Sequence, residues 1–85
     1  MLKIVCGETG KNGITLKLEG NVVGPWVQEV KRESERVLAC GAVLTLDLSE
    51  VSYVDRDGLK LLRTLRDRQA MLLNTSGFVA EQLKS

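Results

Sequence analysis

The feature that most constrains the fold is a short, almost unbroken apolar run, AVLTLDL, in the middle of the chain from Ala42 to Leu48. A run of this length and density predicts a strand covered on both faces, at the centre of a partly parallel sheet. Asp47 interrupts the run near the carboxyl end of the strand, where open α/β sheets place functional groups. A turn-forming role is the alternative for this aspartate.

The segments before this run change periodicity in a regular order. Residues 2–6 and 14–18 alternate apolar and polar side chains around the turn sequence TGKNG, which predicts a β-hairpin. Pro25 then occupies the expected first position of a helix, and Gly41 can provide its left-handed stop. An apolar stripe at helical spacing joins them, formed by Val27, Val30, Ser34, Val37 and Leu38.

The segments after the run predict a loop, SEVSYVDRDG, and a second helix that begins near Leu59. Asp57 is placed to cap that helix, since its carboxylate can accept from first-turn N–H groups. AMLLN predicts a short strand, and Thr75 or Ser76 can cap a final helix, GFVAEQLK. The fold class is therefore α/β, in the order β-β-α-β-α-β-α, with helices packed on a mixed sheet.

Length and charge limit the classes of function. Eighty-five residues predict a single domain, residues 1–85. The near balance of 12 basic and 11 acidic residues argues against nucleic acid as a partner. The sequence has neither a signal-peptide pattern nor a run long enough to span a membrane, so we expect a cytoplasmic protein.

The residue types that support catalysis or metal binding are scarce. The chain contains no histidine, which removes the commonest general base and metal ligand. Cys6 and Cys40 lack metal-type spacing and are interpreted as buried free thiols. No phosphate-binding glycine loop is present either, because GNVVGPW fits neither common nucleotide fingerprint. We therefore expect no enzyme activity, no metal and no cofactor.

The central segment LTLDLSEVSYVDRDGLKLLRTL resembles the signature of STAS domains, the fold of bacterial anti-sigma factor antagonists. That signature is an apolar strand ending in Asp-Leu-Ser, a short loop, Asp-Ser-Ser-Gly-Leu and a leucine-rich helix. The upstream LEGNVVGPWVQEV is similar to the family's second strand, glycine-containing loop and first helix. The resemblance covers the chain from Ile14 onward.

The resemblance implies a regulatory role in partner switching. In the family, a partner kinase that doubles as an anti-sigma factor phosphorylates the second serine of Asp-Ser-Ser-Gly. Here Asp57 takes that position and Arg56 takes the first serine's, so the usual switch is absent. Asp57 either imitates phosphoserine or only caps the helix. We favour the cap, since a carboxylate carries one negative charge against about 1.5 to 2 for phosphate.

The same resemblance places the partner-binding surface around the start of the second helix. Arg56, Lys60 and Arg63 share one side of this helix, which is either a solvated face or a contact for an acidic partner. The implied partner is an anti-sigma factor with serine kinase activity or, if the chain is a non-switching scaffold, a subunit of a sensory complex. The predicted partner-binding residues are Asp47, Ser49, Asp55, Arg56, Asp57, Gly58, Lys60 and Arg63.

Two further expectations concern association and an alternative chemistry. STAS domains usually continue with another strand and helix beyond the position of Ser85, so an exposed sheet edge could pair in a homodimer. Alternatively, Asp47, Asp55 and Asp57 could converge as a receiver-like phospho-acceptor site with Mg²⁺. The receiver hypothesis is disfavoured, because the sequence lacks the acidic pair after the first strand and the late lysine that receivers carry.

Overall fold

The computed structural model describes residues 2–75 and 77–84, and these form the predicted β-β-α-β-α-β-α order. Ser76, one of the two residues proposed to cap the final helix, lies outside the described residues. No described helix is long and apolar enough to cross a membrane. The elements are β1 (Leu2–Thr9), β2 (Gly13–Val22), α1 (Pro25–Ala39), β3 (Val43–Val54), α2 (Arg56–Asp67), β4 (Met71–Leu73) and α3 (Gly77–Lys84).

The four strands form one mixed sheet in the order β1-β2-β3-β4. The β1–β2 hairpin is antiparallel, whereas β2–β3 and β3–β4 are parallel. The predicted hairpin and mixed sheet are therefore confirmed, and β3 has a neighbour on each side.

The helices cover only one face of the sheet. Along β3, Leu44, Leu46 and Leu48 are buried, whereas Val43 on the opposite side is 54% exposed. The expectation that this run is covered on both faces is wrong, because Val43, Thr45 and Asp47 alternate with the buried leucines and lie on the side without helices. We call the uncovered side the open face; it includes Val5, Gly7, Thr15, Lys17, Val43, Thr45, Asp47, Met71 and Leu73.

The bounds of α1 follow the sequence signals. Pro25 is its first residue, where the fixed φ suits the helix and the missing N–H loses no bond. Gly41 follows the C-cap with a φ of +78°, the left-handed conformation predicted for the stop. Four members of the predicted stripe are buried and Leu38 is partly buried, so the amphipathic interpretation is confirmed.

Strand β3 is longer than expected, because it continues through most of the predicted loop to Val54. Its pairing with β2 is interrupted by two register shifts, where β3 carries extra residues. After Leu48, the buried positions are consequently Val51 and Val54, three residues apart instead of two. Because of this spacing, the second half of β3 does not show the alternation of period two by which strands are predicted from sequence.

Both cysteines are exposed, so the expectation of buried thiols is wrong. Cys6 lies on edge strand β1, beside an open groove between β1 and α1 that it lines with Ile4 and Trp26. Cys40 is the C-cap of α1, beyond the part of the helix that packs on the sheet.

Ser34 is the buried polar residue of α1, and its hydroxyl has no hydrogen-bond partner. Replacing Ser34 with alanine should therefore raise the free energy of unfolding by about 0.5 to 1.5 kcal/mol, because it removes a desolvated hydroxyl and improves helix propensity. Urea unfolding of the two proteins measures the difference. A loss of stability in Ser34→Ala would mean that the hydroxyl is satisfied in solution.

Candidate functional site

The candidate site lies at the junction between β3 and α2, in the sequence Asp-Arg-Asp-Gly of residues 55–58. Asp55 is the residue between the two elements, and its extended backbone (φ −81°, ψ −177°) is typical of a helix N-cap. Its N–H donates to the carbonyl of Val22 at 3.1 Å, which fixes the junction against the end of β2. The start of α2 is thereby attached to the sheet.

The Asp55 carboxylate connects the starts of two helices. Its Oδ1 accepts from the N–H of Gly58 at 2.7 Å, and its Oδ2 accepts from the N–H of Gly24 at 2.9 Å. Gly24 immediately precedes α1, so one side chain holds the beginnings of α1 and α2 together. These bonds lower the pKa of Asp55, with the Gly24 N–H as the largest cause, followed by the Gly58 N–H.

The prediction that Asp57 caps α2 is wrong. The helix begins at Arg56, earlier than the expected start near Leu59, so Asp57 is already its second residue. A capping residue needs non-helical backbone angles, which Asp55 has and which the second residue of a helix cannot adopt. Asp57 is exposed, and its negative charge lies near the positive end of the helix dipole.

Gly58 is buried where the start of α2 lies against the ends of β2 and β3. A Cβ atom at this position would lie 2.6 Å from the carbonyl oxygen of Val22 and 2.8 Å from Cγ1 of Val54. Glycine is thus required here for helix packing. Gly58 was also predicted to bind a partner. In the structure, its lack of a side chain allows the helix start to lie close to the sheet.

An open groove between α1 and α2 begins at Asp57. Its floor contains the buried Val27 and the half-buried Leu61, and exposed lysines border it. Sequence reasoning missed the side that α1 contributes, because nothing in the sequence indicates which flank of α1 lies beside α2. The lining residues are Val27, Gln28, Lys31, Asp57, Lys60, Leu61 and Thr64.

Arg56, Lys60 and Arg63 do not have the same surroundings. Arg56 and Lys60 are exposed, whereas Arg63 is half-buried and donates from Nη2 to the carbonyl of Gln82 at 2.8 Å. Because Gln82 belongs to α3, this bond ties α2 to α3. Of these three cations, Arg56 and Lys60 are therefore the exposed ones.

Asp47 belongs to a separate network on the open face. Its Oδ1 accepts from the N–H of Ser49 at 3.0 Å and from Nδ2 of Asn74 at 3.2 Å. The Ser49 N–H is the largest cause of a lowered pKa for Asp47, and the Lys17 ammonium adds to it. Asp47 and Ser49 are thus held together, but away from the bonds that position Asp55.

The receiver hypothesis requires Asp47, Asp55 and Asp57 to converge as metal ligands. Within residues 2–75 and 77–84, no group of three side chains of the metal-ligating types is brought together. The antiparallel hairpin at the start of the sheet also differs from the parallel repeat of a receiver. The geometry on which this alternative depends is therefore missing from the described chain.

Comparisons with known proteins identify the fold. The chain is similar to the unphosphorylated form of the anti-sigma factor antagonist SpoIIAA, with a TM-score of 0.76 and 17% identity over 96% of this chain and 82% of that one. It is also similar to an uncharacterized DUF3478-family protein with a SpoIIAA-like fold from Shewanella loihica PV-4, with a TM-score of 0.59 and 13% identity over 91% of this chain and 69% of that one.

The sequence itself matches no family model and no curated protein. At 17% and 13% identity, the structural similarity establishes the fold. The chain therefore has the SpoIIAA-like fold that the Asp-Leu-Ser and Asp-x-x-Gly-Leu segments predicted. Function requires a separate argument from the site.

Proposed function

We propose that this chain is a non-catalytic, cytoplasmic protein-interaction domain of the anti-sigma factor antagonist type, whose partner binds at the start of α2. The fold supports this class, since SpoIIAA is an anti-sigma factor antagonist. The observation that carries the proposal is the exposed carboxylate of Asp57, which has no role in capping and lies at one end of the α1–α2 groove. Its side chain is available to a partner.

The groove defines the chemistry of that partner. Val27 and Leu61 offer an apolar floor, while Lys31 and Lys60 add positive charge at the border. A suitable partner segment inserts an apolar side chain, carries acidic residues opposite the lysines and donates a hydrogen bond to Asp57. An anti-sigma factor with serine kinase activity is the partner class that the resemblance implies.

Asp57 also determines how such a complex is regulated. An aspartate has no hydroxyl to receive phosphate from ATP, so a serine kinase cannot switch the charge at this position. The negative charge is permanent. We therefore propose that binding at this surface is constitutive, which also suits a scaffold subunit of a sensory complex.

The first functional prediction compares the wild-type chain with Asp57→Ser. On incubation with ATP and a serine kinase specific for anti-sigma factor antagonists, only Asp57→Ser should gain phosphate at position 57. Mass spectrometry identifies the site. Because Asp57 is exposed and does not cap the helix, the substitution should change the free energy of unfolding by no more than about 0.5 kcal/mol. Phosphate on Ser49 or Ser52 of the wild type would show that the switch has moved along the chain.

The second functional prediction concerns binding. The immobilised wild-type chain should capture an anti-sigma kinase or a sensory-complex subunit from an extract of the source cell. Calorimetry with the purified partner should then show at least about tenfold weaker binding by Asp57→Asn, which loses the charge and keeps the shape. Asp67→Asn is the matched control, because it makes the same change at the other end of α2.

The two possible outcomes separate the hypotheses about position 57. Weaker binding by Asp57→Asn together with unchanged binding by Asp67→Asn supports recognition of the carboxylate. Equal affinities for wild type and Asp57→Asn would contradict the proposal that this charge contacts the partner.

A further inference from the structure

The open face has a regular arrangement of side chains that follows from the strand register. One row crosses the sheet as Val5, Lys17, Asp47 and Leu73, each on a successive strand. The order in this row is apolar, positive, negative, apolar. The row is therefore complementary to itself when it is reversed.

The neighbouring row is also complementary to itself when it is reversed, in this case through the sizes of its side chains. It crosses the sheet as Gly7, Thr15, Thr45 and Met71. Reversal places the side chain of Met71, which is 55% exposed, opposite Gly7, where no heavy atom lies within 4 Å of an added Cβ. The two threonines then lie opposite each other.

We propose that the open face binds a second copy of this chain, about a two-fold axis that runs parallel to the strands between β2 and β3. This axis places Lys17 of each copy opposite Asp47 of the other and Val5 opposite Leu73. Two sheets packed face to face with nearly aligned strands form a common type of protein core. The interface is isologous, as expected of a symmetric dimer.

The charges select this axis over the other face-to-face arrangement. A two-fold axis along the row, perpendicular to the strands, would place Lys17 against Lys17 and Asp47 against Asp47, which is unfavourable. Asp47 is also held in place by Ser49 and Asn74, so its carboxylate is ordered before a second copy arrives.

The area of the face predicts a weak dimer. Four strands about 4.8 Å apart and three rows about 7 Å apart give a footprint of roughly 400 Å² per copy, or about 800 Å² in total, which is below the roughly 1,000 Å² of a stable interface and predicts transient association. Exposed apolar side chains occupy its corners, with Val5 at 40%, Leu73 at 41% and Val43 at 54% exposure. The same axis places Glu19 of each copy opposite Glu50 of the other at one end of the sheet, and these like charges weaken the dimer further.

Sedimentation velocity from about 10 µM to 1 mM tests the dimer. The wild type should pass from monomer to dimer in this range, as expected of a small interface. Lys17→Glu and Asp47→Lys should each weaken dimerisation at least about tenfold, because each places like charges across the axis. An equimolar mixture of the two variants should dimerise again, since both contacts between positions 17 and 47 across the axis are then of opposite sign.

Controls separate the charge pattern from general effects. Lys11→Glu makes the same charge change in the β1–β2 turn and should dimerise as the wild type does. If Asp47→Lys fails to fold, Val5→Glu and Leu73→Lys replace the pair, because both positions are exposed and opposite each other across the axis. Each should weaken the dimer alone, and their mixture should recover it.

Three results would overturn the proposal: a wild type that stays monomeric at 1 mM, a dimer that Lys17→Glu leaves unchanged, or folded variants whose mixture does not associate. Pairing through a sheet edge would give the second result. Binding of a different protein to the open face would give the first, with that complex sensitive to Lys17→Glu. The partner experiments at Asp57 are independent of all three, since Asp57 lies on the helical side.

Discussion

Replacing Gly58 with alanine should lower the free energy of unfolding by about 2 to 3 kcal/mol, a large fraction of the stability of so small a domain. The new methyl group would lie 2.6 Å from the Val22 carbonyl oxygen. That carbonyl cannot easily move, because it also accepts the N–H of Asp55. The start of α2 must therefore shift away from the sheet, which strains the cap and the packing of Val54 together.

Gly77→Ala is the matched control for this prediction. Gly77 is the first residue of α3, and an added Cβ there meets nothing within 4 Å. The same chemical change should be neutral or should stabilise by up to about 1 kcal/mol, since alanine lowers the entropy of the unfolded chain. Urea unfolding measures both variants, and equal stabilities for them would contradict the close approach at Gly58.

Replacing Asp55 with alanine should cost about 2 to 4 kcal/mol, because it removes the N-cap of α2 and the bond to Gly24 at once. Asp55→Asn retains one acceptor oxygen and should lose less. Asp57→Ala, two residues along, should change the free energy of unfolding by no more than about 0.5 kcal/mol. Chemical unfolding of the three variants checks that stability falls most in Asp55→Ala, less in Asp55→Asn and least in Asp57→Ala. A larger loss of stability in Asp57→Ala than in Asp55→Ala would instead identify Asp57 as the cap.

The pH dependence of stability provides a second readout for Asp55. Its folded-state pKa is lowered, so its contribution is fully present above the unfolded pKa of about 3.9 and is lost as pH falls through the folded value. Wild-type stability should therefore fall below about pH 4, and the fall should be smaller in Asp55→Ala. Part of the fall in stability should remain in Asp55→Ala, because the pKa of Asp47 is also lowered in the folded state. Identical pH profiles for the wild type and Asp55→Ala would contradict the bonds to this carboxylate.

The order of elements could be predicted from the sequence because each element has its own periodicity. The hairpin and the stripe of α1 repeat with the spacing of the structure they form, and the central run has the length and apolar density of a strand. The end of β3 could not be found in this way. Two register shifts move the buried residues of β3 out of alternation. These shifts arise from the pairing of β3 with β2, which cannot be predicted from the sequence of β3 alone.

The site was predicted only in part, for a similar reason. Asp55 and Asp57 are both acidic residues near a helix start, and the choice between them depends on where the helix begins. One local signal favours Asp55: its spacing of three residues to Gly58 is that of an N-cap to the N–H it accepts. The bond to Gly24 and the contribution of Lys31 to the groove depend on how α1 lies beside α2, which only the tertiary structure defines.

The separation of the cap at Asp55 from the contact proposed at Asp57 has a consequence for how sequences of this fold can change over time. Asp55 holds the helix start, so position 57 is under little structural constraint, and exchanging aspartate for serine there should change the free energy of unfolding by no more than about 0.5 kcal/mol. Under the proposed function, a lineage would therefore gain or lose a phosphorylatable hydroxyl at this position by a single substitution, with no compensating change in the cap. Regulation would then depend on one exposed residue, while the fold that presents it stays the same.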